Sequence, residues 1–351
     1  MGQATSIDIP GGAIPVAYEA DVVVVGAGPG GFAAALQAAR MGADVILVEK
    51  FDMPGGVHTS GLQGAANEGV GGIHSELMAR FASEGHIYIA NEKTHPNWAG
   101  NPLSHYERGK AVGSAFTRMT FNPEGAGCVM VDMLYEAGVN ALYGTAFIDC
   151  IVEPGTGNNS IRAVVVENAD GRFAIGGRIF IEGSGTGQLA ARAGAPFVPG
   201  GGPQPEGAHW DGIKRPIPGG LLWTMSGVNF QNLVRHQEQA NDPLLEKVIA
   251  EARAADDLPD GLYRPRMDGK AVYGDSYIGH PTVDMSPMAA AGTYVLWQNA
   301  PYDMALRMDS DGRDQATATR LLRGFVNAEA KFLKKYVPGF EDASIASVGR
   351  F

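Results

Sequence analysis

The sequence is poor in cysteine. It has only Cys128 and Cys150, and neither belongs to a C-x-x-C pair. That argues against a disulfide framework or a thiolate metal site, and it predicts two buried free thiols in a reducing compartment. Positive charge is also scarce: 27 Lys and Arg stand against 38 Asp and Glu, for a formal net charge of −11. Lys334-Lys335 is an isolated basic pair on a helix pattern. Neither nucleic acid nor an anionic membrane is therefore expected as a partner. No run reaches the ~18 apolar residues of a membrane span. Residues 1–20 lack the charged and apolar regions of a signal peptide, so a cytoplasmic location is expected. There is no G-x-S-x-G elbow, no H-E-x-x-H and no Cys/His cluster, so hydrolase and metalloenzyme readings lack a site and no metal is expected.

Glycine, by contrast, is abundant. There are 49 glycines with no strict triplet period, which excludes collagen and predicts many tight turns and close backbone approaches. The most informative of them lie in Asp21 to Lys50, DVVVVGAGPGGFAAALQAARMGADVILVEK. Val22 to Val25 read as a parallel strand buried on both faces. Gly26, Gly28 and Gly31 follow in G-x-G-x-x-G spacing. A small-residue helix over Phe32 to Arg40 and a second apolar strand over Asp44 to Val48, closing on Glu49, complete a βαβ unit. Gly26 suits the tight turn out of the strand, Gly28 lets backbone approach a pyrophosphate, and Gly31 lets the helix pack close to the strand. The free N–H groups at the helix start suit phosphate, and Glu49 can accept hydrogen bonds from a ribose diol. Dinucleotide binding is the expectation.

Downstream, Phe51 to Gly72 is a glycine-rich loop, suited to wrap a large flat ligand, and Ser75 to Glu84 reads as an amphipathic helix. Residues 85–121 hold Tyr88, His95, Trp98, His105, Tyr106, Phe116 and Arg118, an irregular aromatic and polar stretch with the character of a substrate region. Asn122-Pro123-Glu124 reads as a capped helix start, with Gly138 as the stop. Strands are expected over Val139 to Tyr143, Ala146 to Val152, Ile161 to Glu167, Arg172 to Ile175 and Arg178 to Glu182. The last runs into Gly183-Ser184-Gly185-Thr186-Gly187 and a helix over Gln188 to Ala193. Residues 199–220 are dense in Gly and Pro and mark a boundary. Arg313 to Tyr336 is a long amphipathic helix pattern ended by Pro338-Gly339. The resulting fold class is α/β: a Rossmann-like dinucleotide-binding domain with a parallel sheet and a small antiparallel insert that resembles the one in flavin-binding Rossmann domains, plus a mixed α+β substrate domain. The expected boundaries are 1–72 and 122–198 for the first domain and 73–121 and 199–312 for the second. A C-terminal helix over 313–351 returns toward the first.

On these stretches the chain resembles the FAD-dependent oxidoreductases, the glutathione-reductase-like flavoproteins, with fumarate reductase flavoprotein subunits more distant. The likeness rests on Asp21 to Lys50, Gly55-Gly56 with Thr59-Ser60-Gly61, the Asn122 helix start, Ile179 to Phe197 (IFIEGSGTGQLAARAGAPF) and FLKKYVPGFEDA near the end. It implies FAD as cofactor, with pyrophosphate on Gly28 and Gly31 and adenosine ribose on Glu49. Gly26, Gly30 and Lys50 complete that set. It also implies that Gly55, Gly56, Thr59, Ser60 and Gly61 lie along the flavin, and that Ser184, Gly185 and Gly187 pass near the pyrophosphate. Two acids of the family's run are replaced here by Thr186 and Gln188.

Flavin does the electron chemistry in such proteins; the chain supplies orientation, a dry pocket and proton transfer. His58, in the loop expected along the flavin, is suited to move a proton near neutral pH, to anchor flavin covalently, or simply to brace the loop. Arg118 could clamp a substrate carboxylate or form a surface ion pair. His280, Arg264 and Arg266 carry the same ambiguity. The leading function is an FAD-dependent oxidoreductase that moves a hydride between a small organic substrate and flavin N5. A flavin-binding subunit of a larger complex and an NAD(P)-binding protein without flavin are the alternatives. The family resemblance further implies a segment beyond FLKKYVPGF that completes the flavin edge, so a partner chain or a further C-terminal segment is expected to complete the site.

Overall fold

The structure is a computed structural model that describes residues 12–66, 71–89, 119–155, 159–197, 220–242, 245–258, 286–287, 293–299 and 311–350. The chain divides into two compact units, 1–54 with 132–196 and 55–131 with 197–351. The sequence expectation carried the first segment of the first domain through residue 72; the first segment of this unit ends at Pro54.

The first unit is built on one six-stranded sheet. Its strands are β1 (Val16–Val25), β2 (Val45–Val48), β6 (Asn140–Leu142), β7 (Ala146–Glu153), β8 (Ser160–Asn168) and β9 (Gly171–Glu182), in the order β6-β2-β1-β9-β8-β7. β1 pairs in parallel with β2 and β9, and β2 pairs in parallel with β6. β7 and β8 add on antiparallel. The helix α1 (Pro29–Arg40) connects β1 to β2 and packs on both. Val22 to Val25 and Val45 to Val48 are all buried, as a strand covered on both faces requires. One face of the sheet gathers Val23, Val25, Ile46, Val48, Val164, Val166 and Ile175 with Leu189. Phe32, Ala35 and Leu36 of α1 are buried, at the i, i+3, i+4 spacing of one helix face.

Two expected strands, Arg172 to Ile175 and Arg178 to Glu182, are one. β9 runs unbroken through Gly176-Gly177, with its first half antiparallel to β8 and Ala174 to Glu182 along β1. The glycine pair, which lies between the two expected strands, serves close packing: a Cβ on Gly177 would lie 2.7 Å from Val23 Cγ2. The antiparallel strands are thus continuous with the main sheet.

The second unit holds a sheet in the order β11-β12-β10-β13, formed by β10 (Gly220–Ser226), β11 (Ser286–Pro287), β12 (Tyr294–Asn299) and β13 (Ser344–Val348). A smaller sheet joins β3 (Ala65–Ala66), β5 (Met119–Phe121) and β4 (Ile87–Ile89), with α2 (Ile73–Ser83) between β3 and β4 in the chain. The helix α3 (Pro123–Glu136) starts where Asn122 caps it, Oδ1 accepting from the N–H groups of Glu124 and Gly125. After α4 (Gln188–Arg192) of the first unit come α5 (Phe230–Ala240), α6 (Glu246–Ala254) and α7 (Gly312–Tyr336). Asp311 caps α7, whose Leu322, Val326, Ala330 and Leu333 pack with Trp223, Met225 and Phe340. Among the described residues no helix is long and apolar enough to cross a membrane.

Both cysteines are free, but neither is buried as expected. Cys128 is exposed because it falls on the outward stripe of α3 with Glu124, Asp132 and Tyr135. Cys150 is half-buried on β7, whose residues alternate toward solvent.

Candidate functional site

β1 sits between β2, reached through α1, and β9, reached from the far side of the sheet. This is the point where strand order reverses, and ligands of open α/β sheets bind beyond the carboxyl ends of the strands there. Both glycine turns of the sequence lie at that end, Gly26 to Gly31 after β1 and Gly183 to Gly187 after β9. Gly26 has φ 93°, a conformation side chains avoid, so it turns the chain sharply out of β1. Gly26, Gly31 and Gly183 press on one another: a Cβ on Gly183 would meet Gly26 O at 2.7 Å and Gly31 Cα at 2.8 Å. A Cβ on Gly31 would overlap Gly26 O outright and lie 3.0 Å from its carbonyl carbon.

Gly28 and Gly30 are different. Gly28 has ordinary extended backbone, and a Cβ there would meet only Gly183 O, at 3.4 Å. A Cβ on Gly30 would meet nothing within 4 Å among the described residues outside its own helix backbone. These two glycines face open space, while Gly26 and Gly31 are fixed by packing. The start of α1 carries no side-chain cap, no acid in its first turn and Pro29 at the first position. Its N–H groups and dipole are thus unopposed, which suits an anion.

Glu49 is buried at the end of β2, and its carboxylate is held at both oxygens. Oε2 accepts from Ala27 N–H at 2.7 Å and Oε1 from Phe51 N–H at 2.9 Å. Each oxygen keeps a further lone pair, so the group can still accept from a diol. Lys50 sits over the Phe51 ring, 4.7 Å from its centroid. Across from Glu49, Tyr143 follows β6. Burial first, and then the charge of Glu49, push its phenol up to about 12.

The second glycine turn is braced by a residue the sequence reading missed. Glu182 accepts from Ser184 N–H at 2.6 Å and from the N–H groups of Leu189 and Ala190, which begin α4. Ser184 Oγ accepts from Thr186 and Gln188 N–H. This helix start therefore has its own carboxylate, unlike that of α1. Gly185 and Gly187 both have positive φ. The available signal was an acid at the very end of a strand before a glycine turn, the position Glu49 also holds.

In the second unit, residues 55–64 form a compact turn around the 3-10 segment Gly56–His58. Gly61 N–H and Thr59 N–H both donate to Gly56 O, and Gln63 N–H donates to Val57 O. A Cβ on Gly55 would press on the Thr59 side chain, and one on Gly61 would lie 2.8 Å from Val57 backbone. Thr59 and Ser60 are buried, and Ser60 Oγ has no hydrogen-bond partner among the described residues. Ser60 O accepts from Arg350 N–H beyond β13. His58 Nδ1 lies 3.1 Å from Gln63 O, and its ring meets Phe121 edge-on at 5.9 Å between centroids. A carbonyl only accepts, so Nδ1 is the donor in this contact. Arg118 and His280, with Arg264 and Arg266, lie outside the described residues.

The residues fit FAD on observations of the first unit alone: open glycines, an unopposed helix start and a carboxylate pinned at a strand end. Comparison with known proteins agrees. The sequence model of the family described as FAD dependent oxidoreductase matches residues 21–351. The digeranylgeranylglycerophospholipid reductase of Methanocella arvoryzae is 33% identical over 172 residues, which is 44% of this chain and 39% of that protein. The solved geranylgeranyl bacteriochlorophyll reductase-like protein of Thermoplasma acidophilum is 13% identical, with a TM-score of 0.45, over 95% of this chain and 65% of that one. A flavocytochrome c3 fumarate reductase is 19% identical, with a TM-score of 0.29, over 48% of this chain and 34% of that one. In each comparison the chain spans less than two thirds of the relative. Matched across nearly its whole length, the chain belongs to the FAD dependent oxidoreductase family.

Proposed function

We propose that the chain transfers a hydride between a small organic substrate and FAD. The first unit would hold the ADP half: pyrophosphate at Gly28, Gly30 and the start of α1, ribose at Glu49. The single observation that carries this reading is the contrast between the two helix starts. One is braced by Glu182, and the other is uncapped, acid-free and bordered by glycines whose missing Cβ atoms face open space. The turn at Gly55, Gly56 and Thr59 to Gly61 is proposed to lie along the flavin, where the buried Ser60 hydroxyl would find its partner. Ser184, Gly185 and Gly187 are proposed to line the pyrophosphate edge.

Bound FAD would supply the hydride acceptor or donor; the chain supplies binding, orientation and the proton. His58 is the proposed proton carrier. Its Nδ1–H is committed to Gln63 O and its ring is steadied by Phe121, which leaves Nε2 to take a proton from substrate or return one. Anaerobic absorbance of the FAD-loaded protein against metabolite pools tests the proposal. A substrate that bleaches the flavin band, or restores it in the reduced protein, supports hydride transfer. Flavin that no metabolite bleaches or reoxidises speaks for a binding subunit instead, and a protein that binds NAD but no flavin overturns both readings.

A further inference from the structure

Tyr143 is singled out by no motif, yet its placement is closely fixed. β2 and β6 pair with Val48 opposite Leu142, so Glu49 and Tyr143 are the next pair in register, one step beyond the carboxyl ends of both strands. Glu49 N–H donates to Leu142 O and Thr145 N–H to Glu49 O. Gly144 N–H donates to Phe51 O, Thr145 Oγ1 donates to Tyr143 O, and Asn168 donates to Thr145 Oγ1. The turn that carries the phenol is therefore tied to the segment that carries the carboxylate. Leu142 packs on the sheet face of Val48 and Ile46. Alternation places Tyr143 with Glu49 on the other face, the α1 side.

The phenol oxygen is buried and has no hydrogen-bond partner among the described residues. Phenylalanine would fill the same space without burying a lone donor, which normally carries a penalty. Glu49 does not relieve it: its carboxylate oxygens accept from the Ala27 and Phe51 N–H groups, and no hydrogen bond joins either of them to the phenol. With its titration displaced to about 12, the phenol stays protonated at neutral pH and remains a donor. Its position fits a ligand laid outward across the sheet: pyrophosphate at the end of β1, ribose at the end of β2, and the base next to β6, the edge strand.

We propose that Tyr143 is a contact to the adenosine end of the cofactor, its hydroxyl donating a hydrogen bond to a ribose or adenine acceptor beside Glu49. This rests on the reading that Glu49 receives the ribose. The test uses the full chain stripped of flavin, titrated with FAD and separately with ADP, as wild type, Tyr143→Phe and Glu49→Gln, with the melting temperature of each flavin-free protein. Tyr143→Phe should weaken FAD and ADP by the same factor, about three- to tenfold for one hydrogen bond. It should leave the flavin-free protein at least as heat-stable as wild type, because a desolvated donor has gone. A purely structural tyrosine would instead lower the melting temperature, and that result overturns the proposal. Loss of FAD affinity without loss of ADP affinity also overturns it, by moving the contact off the adenosine. If Glu49→Gln weakens both ligands while Tyr143→Phe weakens neither, the inference alone fails. If neither variant weakens either ligand, the ribose reading has failed and takes the inference with it.

Discussion

Replacing Gly31 and Gly28 by alanine should separate packing from binding within one glycine motif. At Gly31 the new methyl would overlap Gly26 O and sit 3.0 Å from its carbon, on backbone that is also pressed by Gly183. Relief requires α1 to move off β1 by roughly 1 Å, and the buried Phe32, Ala35 and Leu36 move with it. Overpacking of this kind costs about 2–3 kcal/mol. At Gly28 the new methyl would meet only Gly183 O among the described residues, at 3.4 Å, and the backbone is extended, so the cost to the fold should stay within about 0.5 kcal/mol. There the methyl points into the space assigned to the pyrophosphate, and FAD affinity should fall tenfold or more, about 1.4 kcal/mol. Denaturant unfolding of the flavin-free proteins gives the first quantity, and fluorescence titration with FAD gives the second. A Gly31→Ala protein as stable as wild type, or a Gly28→Ala protein with wild-type FAD affinity, would refute the reasoning.

Other perturbations have equally definite outcomes. Glu182→Ala removes the acceptor for three backbone N–H groups and should cost about 1–2 kcal/mol in denaturant unfolding; an unchanged midpoint would show that water replaces the carboxylate freely. Tyr143 titrates higher in the folded chain than its ordinary value of 10.0, so the unfolded chain loses that proton first as pH rises. Its contribution is thus complete below pH 10 and is lost as the solution passes from there toward 12, by about 1 kcal/mol after allowance for solvent screening. Tyr143→Phe should lack that part of the alkaline slope, and an identical slope in both proteins counts against it. His58→Ala should retain FAD and lose about 10²- to 10⁴-fold in turnover of whatever substrate bleaches the flavin. Undiminished turnover would return His58 to a bracing role.

The βαβ unit was legible because its signals are local. An apolar run and glycines at fixed offsets each report a backbone requirement, and Gly26 and Gly31 stand where those requirements put them. The start of α3 was legible for the same reason, since Asn122 binds N–H groups two and three residues away. What the sequence did not disclose depends on partners distant in the chain. Gly176-Gly177 separates two expected strands until Val23, more than 150 residues earlier, is found against it. Glu182 stands at a strand end as Glu49 does, yet it braces its own helix start, and only the hydrogen bonds distinguish the two acids. Cys128 was misjudged because residue type favours burial, whereas the helical period of α3 turns that position outward. Tyr143 carries no motif; its interest comes from a strand register and an unpaired hydroxyl.

The central claim is that the first unit binds FAD through the turn after β1. Its most direct test is a titration of the flavin-free chain with FAD, read by flavin fluorescence and by the absorbance of the complex after gel filtration, in wild type and in Gly28→Val. Stoichiometric, saturable FAD binding is expected of the wild type, with its loss in a Gly28→Val protein that still unfolds cooperatively. A wild-type chain that does not retain FAD, or a Gly28→Val chain that binds it as well as wild type, would contradict it.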